Sequence, residues 1–77
     1  MIKIFGYEQD SEKLLKLEEM SIECSISELE EIIQFLQVVK TSHEKAIDET
    51  EMCTSHYRDW STTWDRKSAD IIVVTKK

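Results

Sequence analysis

Ser25 and Glu28, followed by apolar residues at Leu29, Ile32, Ile33, Leu36 and Val39, mark one long amphipathic helix in a chain of 77 residues. A helix that long leaves little else to build with, so the rest of the chain has to supply the surface that covers its apolar stripe. The start is defined by a reciprocal cap. The Ser25 hydroxyl can accept from the Glu28 N–H while the Glu28 carboxylate accepts from the Ser25 N–H, and Cys24 and Leu29 stand at the positions of a hydrophobic staple. Ser27 with Glu30 offers a rival cap two residues on. His43 and Ile47 continue the stripe, whereas Phe35 and Val38 lie to one side of it, widening the core contact or meeting a partner.

On either side of the helix the chain reads as strand. Ile2 to Tyr7 is β-branched and aromatic, with Ile2 and Ile4 on one face and Phe5 and Tyr7 on the other, and both faces are expected to be covered. After a polar turn from Glu8 to Lys13, the apolar residues Leu15, Leu17, Met20, Ile22 and Cys24 alternate with polar ones, slipping phase at Glu18 and Glu19. This predicts a bulged edge strand with Ser21 and Glu23 facing outward. Ile71-Ile72-Val73-Val74 is apolar in both phases and reads as a strand buried on both faces. Between them Met52, Tyr57, Trp60 and Trp64 suggest a short helix or irregular aromatic segment lying against Phe5 and Tyr7. The expected fold is α+β: a two-layer β-β-α-β sandwich in which one small, mostly antiparallel sheet is covered by one long helix, with a short aromatic helical segment added. No proline and a single glycine, Gly6, leave no visible linker, so residues 1–77 are read as one domain near the lower size limit for a self-supporting core.

Charge narrows the functional classes. Sixteen acids against ten bases give a net charge of -6 and a pI near 4.8, the wrong sign for gripping nucleic acid or an anionic membrane, which requires clustered Lys and Arg. The acids are also concentrated: from Leu17 to Val39 there is no base, while Glu18, Glu19, Glu23, Glu28, Glu30 and Glu31 all fall in that stretch. Such a run is either a solvated surface or a face that attracts a basic partner, and its first helical acids also complement the helix dipole. The short apolar runs do not reach membrane-spanning length, and the N-terminus carries no secretory pattern, so a soluble cytoplasmic protein with Cys24 and Cys53 as free thiols is expected.

No arrangement of residues points to a reaction. One glycine cannot form a phosphate-cradling loop, and the nucleophile-elbow and metalloprotease patterns are missing. Cys24, His43, Cys53 and His56 match a zinc site in composition alone, and the reading is that no metal or cofactor is bound. His56 with Asp59 at i, i+3 could form a hydrogen-bonded pair and His56 with Asp65 could resemble an acid–base couple, although neighbours of this kind are usually structural. A binding protein is therefore expected, and an enzyme is not.

Several segments together resemble a family of small bacterial immunity proteins, the antidotes of polymorphic toxin systems. They are Phe5-Gly6-Tyr7-Glu8, Leu14-Leu15-Lys16-Leu17-Glu18-Glu19, the Ser25-x-x-Glu28-Leu29 helix start running into Ile33-x-Phe35-Leu36, then His56, Trp60, Trp64 and the closing Asp70-Ile71-Ile72-Val73-Val74. Ile26 and Ala69 stand where the family pattern has prolines, and a second histidine near His56 is missing. The resemblance implies a stoichiometric inhibitor that occludes the active or substrate-binding surface of a cognate protein toxin. An acidic antidote suits a nuclease toxin, whose basic groove normally holds phosphate. On this reading Glu18, Glu19, Glu23, Glu30 and Glu31 are steering charges, and Tyr57, Trp60 and Trp64 are candidate partner-binding anchors, with core packing as their competing use. The alternative reading is a homo-oligomerising structural or regulatory module, a homodimer for instance, whose sheet continues across an exposed strand edge.

Overall fold

The computed structural model of the chain describes residues 1–46 and 48–77, so the expected place of Ile47 on the helix stripe lies outside the described residues. The element order is β1 (Ile4–Gly6), β2 (Leu15–Leu17), α1 (Ile26–Ala46), β3 (Met52–His56), α2 (Tyr57–Trp60) and β4 (Ile72–Lys76). The protein is α+β, and among the described residues it has one long helix, one short helix and two antiparallel two-stranded sheets, β1–β2 and β3–β4. This corrects the expected β-β-α-β order and its single sheet. An additional strand, β3, precedes α2, and it pairs β4 into a sheet of its own.

The helix begins as its sequence dictates. Ser25 N–H donates to Glu28 Oε1 at 2.8 Å and Glu28 N–H donates to Ser25 Oγ at 3.1 Å, closing the capping box. The Ser25 backbone N–H and, after it, the Ser25 hydroxyl hold the Glu28 carboxyl below the usual carboxylate range. The buried line of α1 is Ile32, Phe35, Val39 and His43. Phe35, expected beside the stripe, is its centre at 1% exposure, while Leu29, Ile33 and Leu36 are exposed. The cause is aromatic: Phe35 meets the Tyr57 ring edge to face, centroids 5.3 Å apart and planes at 87°, with the Trp60 ring 5.7 Å away. Such pairs gain about 0.5–1.5 kcal/mol beyond area burial, so the helix turns its phase toward α2.

Beneath the helix the β3–β4 sheet contributes a partly polar inner face. Thr75 and Ser55 hydrogen-bond the buried His43, whose Nδ1 lies 2.7 Å from Thr75 Oγ1 and whose Nε2 lies 2.8 Å from Ser55 Oγ, so one ring ties both strands to α1. A buried imidazole with both nitrogens partnered avoids the cost of an unsatisfied polar group. The outer face, with Ile72 and Val74, is half exposed, which corrects the expectation of a final strand buried on both sides. A second tether closes the far end: Asp70 Oδ1 accepts from the Arg58 and Ile71 N–H groups at 2.9 Å each, and Asp70 Oδ2 lies 2.9 Å from His56 Nδ1.

β1–β2 is a separate hairpin packed chiefly on itself. Ile4, Leu15 and Leu17 share its half-covered face, and a Cβ on Gly6 would come within 3.2 Å of Leu17 Cδ1, so glycine lets that side chain fold over the strand. Asp10 turns the connecting loop with φ 61°, a left-handed conformation that Asp tolerates. Phe5 and Tyr7 stay exposed because the aromatics expected to cover them pack on Phe35 instead. The bulged continuation of the second strand is also absent: from Glu19 to Ser25 the chain carries no ladder partner.

Candidate functional site

The predicted steering charges divide into two groups. Glu18, Glu19 and Glu23 lie on the exposed segment between β2 and α1, and Glu30 is exposed on the first turns of α1. Among the described residues none of these four takes part in a salt bridge; the ion pairs are Lys40–Glu44, His56–Asp70, and Arg58 with Asp59 and Asp70. Glu31 behaves differently. It accepts from Ser61 Oγ at 2.6 Å and from Thr63 Oγ1 at 3.2 Å, which ties α1 to the loop after α2. The Ser61 hydroxyl, more than any other neighbour, holds the Glu31 carboxyl below its usual range.

The aromatic candidates sit in the core. Tyr57 is buried, and Trp60 and Trp64 are half-buried against the Ile32, Phe35, Val39 and Tyr57 cluster. Trp64 also donates its indole N–H to the Ala69 carbonyl at 3.0 Å. Burial pushes the Tyr57 phenol up from its ordinary pKa, and the nearby Glu31 carboxylate acts in the same direction. These rings therefore contribute first to stability.

Beside these acids lie four exposed apolar residues, of which Met20 and Ile22 were expected in a strand and Ile26 and Leu29 on the helix. Met20 and Ile22, between Glu19 and Glu23, are 56% and 50% exposed, and Ile26 and Leu29 on the first turns of the helix are exposed too. Scattered exposed apolar residues are ordinary, but these four fall within ten positions, interspersed with carboxylates that, among the described residues, make no salt bridge. The alternation of Met20 and Ile22 was legible; what concealed their exposure was the assumption that a strand pattern must have a strand partner.

The remaining polar groups serve the fold. His56 pairs with Asp70 and not with Asp59 or Asp65, a correction that follows from β3 and the start of β4 lying side by side. Burial raises the Asp70 pKa, but the Arg58 N–H, the His56 ring and the Ile71 N–H outweigh it and leave the carboxyl below its ordinary value. Cys24 and Cys53 are free thiols. Among the described residues no three His, Cys, Asp or Glu side chains converge on a metal-sized site, and no helix is long and apolar enough to cross a membrane. No family model, no curated protein and no solved structure matches the chain.

Proposed function

We propose that this protein is a stoichiometric inhibitor of the immunity-protein kind, which neutralises a cation-rich protein toxin by docking the segment Glu18 to Glu30 against the toxin's active or substrate-binding surface. The observation that carries the reading is the set of four exposed, unpaired carboxylates, Glu18, Glu19, Glu23 and Glu30, around exposed Met20, Ile22, Ile26 and Leu29. Carboxylates with no internal cation leave a field that speeds encounter with a basic groove, and the apolar residues between them supply area to desolvate once the partner arrives. A nuclease toxin fits best, because its phosphate-binding groove is already complementary to closely spaced negative charge. Glu31, held by Ser61 and Thr63, contributes field but is not free to move onto a partner.

Co-expression of this chain with the protein encoded by the neighbouring reading frame tests the reading. The expected result is that growth arrested by that protein is restored and the two copurify in a one-to-one complex. Unrelieved arrest with no complex contradicts it.

A further inference from the structure

The free edge of β4 is built to receive a strand. Tyr57 N–H donates to the Ile71 carbonyl at 2.8 Å and Lys77 N–H to the Glu51 carbonyl at 2.9 Å, and both pairs lie in the register that sets Thr54 opposite Val74. Hydrogen-bonded pairs alternate along an antiparallel ladder. It follows that residues 71, 73, 75 and 77 bond to β3, while the N–H and C=O groups of Ile72, Val74 and Lys76 point away from it. Among the described residues no hydrogen bond outside the sheet uses those groups. Such an edge is a template for pairing unless it is blocked. Here Ile72 and Val74 are half exposed, and beside them a groove of about 330 Å³ runs between β4 and α1, lined by Leu36, Val39 and His43 with Val73 and Thr75.

We propose that a second copy of this chain fills that edge, its β4 antiparallel to the first with Val74 opposite Val74 and Ile72 opposite Lys76, in one four-stranded sheet of order β3-β4-β4-β3. The spacing argues for a copy of the chain in preference to an unrelated strand. His43 bonds Ser55 on β3 and Thr75 on β4, so α1 lies over the seam between the two strands, level with Val74. Two-fold pairing about Val74 then sets the two helices two strand spacings apart, about 10 Å. Packed helices prefer about 8–10 Å.

The helix flank on the β4 side carries Leu36, Lys40 and Glu44, with Lys40 and Glu44 already an ion pair within one helix. Rotation by two-fold symmetry makes that flank self-complementary, each lysine meeting the other copy's glutamate and each Leu36 closing the opposite end of the groove. The same operation lays Lys77, in a segment free of acids from Ile71 onward, beside the other copy's Ile71 and Asp70. The helices run antiparallel, which carries their acidic N-termini to opposite ends and leaves both faces assigned to the toxin open. The dimer does not depend on the inhibitor reading.

Light scattering on the full chain tests this, with an expected mass twice 9.1 kDa at tens of micromolar. Val74→Pro removes an outward N–H while sparing the β3 ladder, and is expected to weaken the dimer at least tenfold with helical circular dichroism retained. Should that variant lose its helical signal, Val74→Cys in a chain with Cys24→Ser and Cys53→Ser gives an independent reading. Two residues in a hydrogen-bonded antiparallel pair sit about 5.5 Å apart at Cα, within disulfide reach, so oxidised glutathione should yield a covalent dimer, and Thr54→Cys in the same background should not. A wild-type monomer, a dimer unaffected by folded Val74→Pro, or equal cross-linking at positions 54 and 74 overturns the proposal.

Discussion

Among the described residues two antiparallel strand pairs, β1–β2 and β3–β4, are anchored to very different degrees. β3–β4 is fastened on its inner face by His43 and at its end by Asp70, and Phe35, Tyr57 and Trp60 pack beside it. β1–β2 has comparable β-forming residues, yet it leaves Phe5 and Tyr7 in solvent and leads into an unpaired acidic segment. The difference lies less in strand propensity than in what the long helix can reach. One 21-residue helix has one buried line, and α2 with β3–β4 occupies it. Stability is concentrated from α1 onward, and the chain before α1 is left with surface to offer.

The sharpest contrast is between two phenylalanines. Phe35→Ala is expected to cost about 3–5 kcal/mol, whereas Phe5→Ala, at a side chain 51% exposed, should change stability by no more than about 0.5 kcal/mol; urea melts of both variants measure this. Equal losses would mean that the two strand pairs share one core. Next in size is His43→Ala, which leaves the Ser55 and Thr75 hydroxyls without their partner and should cost about 2 kcal/mol in the same melt. Ser25→Ala should cost about 1 kcal/mol, seen as fraying of the first turns of α1 by amide exchange, with β3–β4 protection unchanged.

Acid sharpens the comparison from another direction. The folded pKa of Asp70 is depressed, so its contribution to stability is complete above the unfolded value, near 3.9, and is lost as pH falls through the folded value. Urea midpoints taken from pH 6 down to pH 3 should therefore decline, with a shallower decline in Asp70→Asn. Glu28 and Glu31, also depressed, retain part of the slope in that variant. Identical slopes would remove Asp70 from the tether.

The helix was legible because its cap is local: Ser25 and Glu28 need only three residues of sequence to find one another. β3 was not, since its inward residues Cys53 and Ser55 are small or polar, and Ser55 is inward only because His43, twelve positions earlier, supplies its partner. The phase of the helix was likewise misread by one flank, because Phe35 is chosen by Tyr57 and Trp60, aromatics distant in sequence. At the candidate site the acids were visible as a base-free run. Which of them were unengaged depended on Ser61 and Thr63 reaching Glu31, a contact with no local signature.

The claim that the exposed acidic segment exists to meet a basic protein is tested most directly by reversing Glu19, Glu23 and Glu30 to lysine together and scoring protection in the co-expression assay beside a thermal melt. The account predicts that protection disappears while the melting temperature stays within a few degrees of wild type. Full protection by the charge-reversed protein would contradict it.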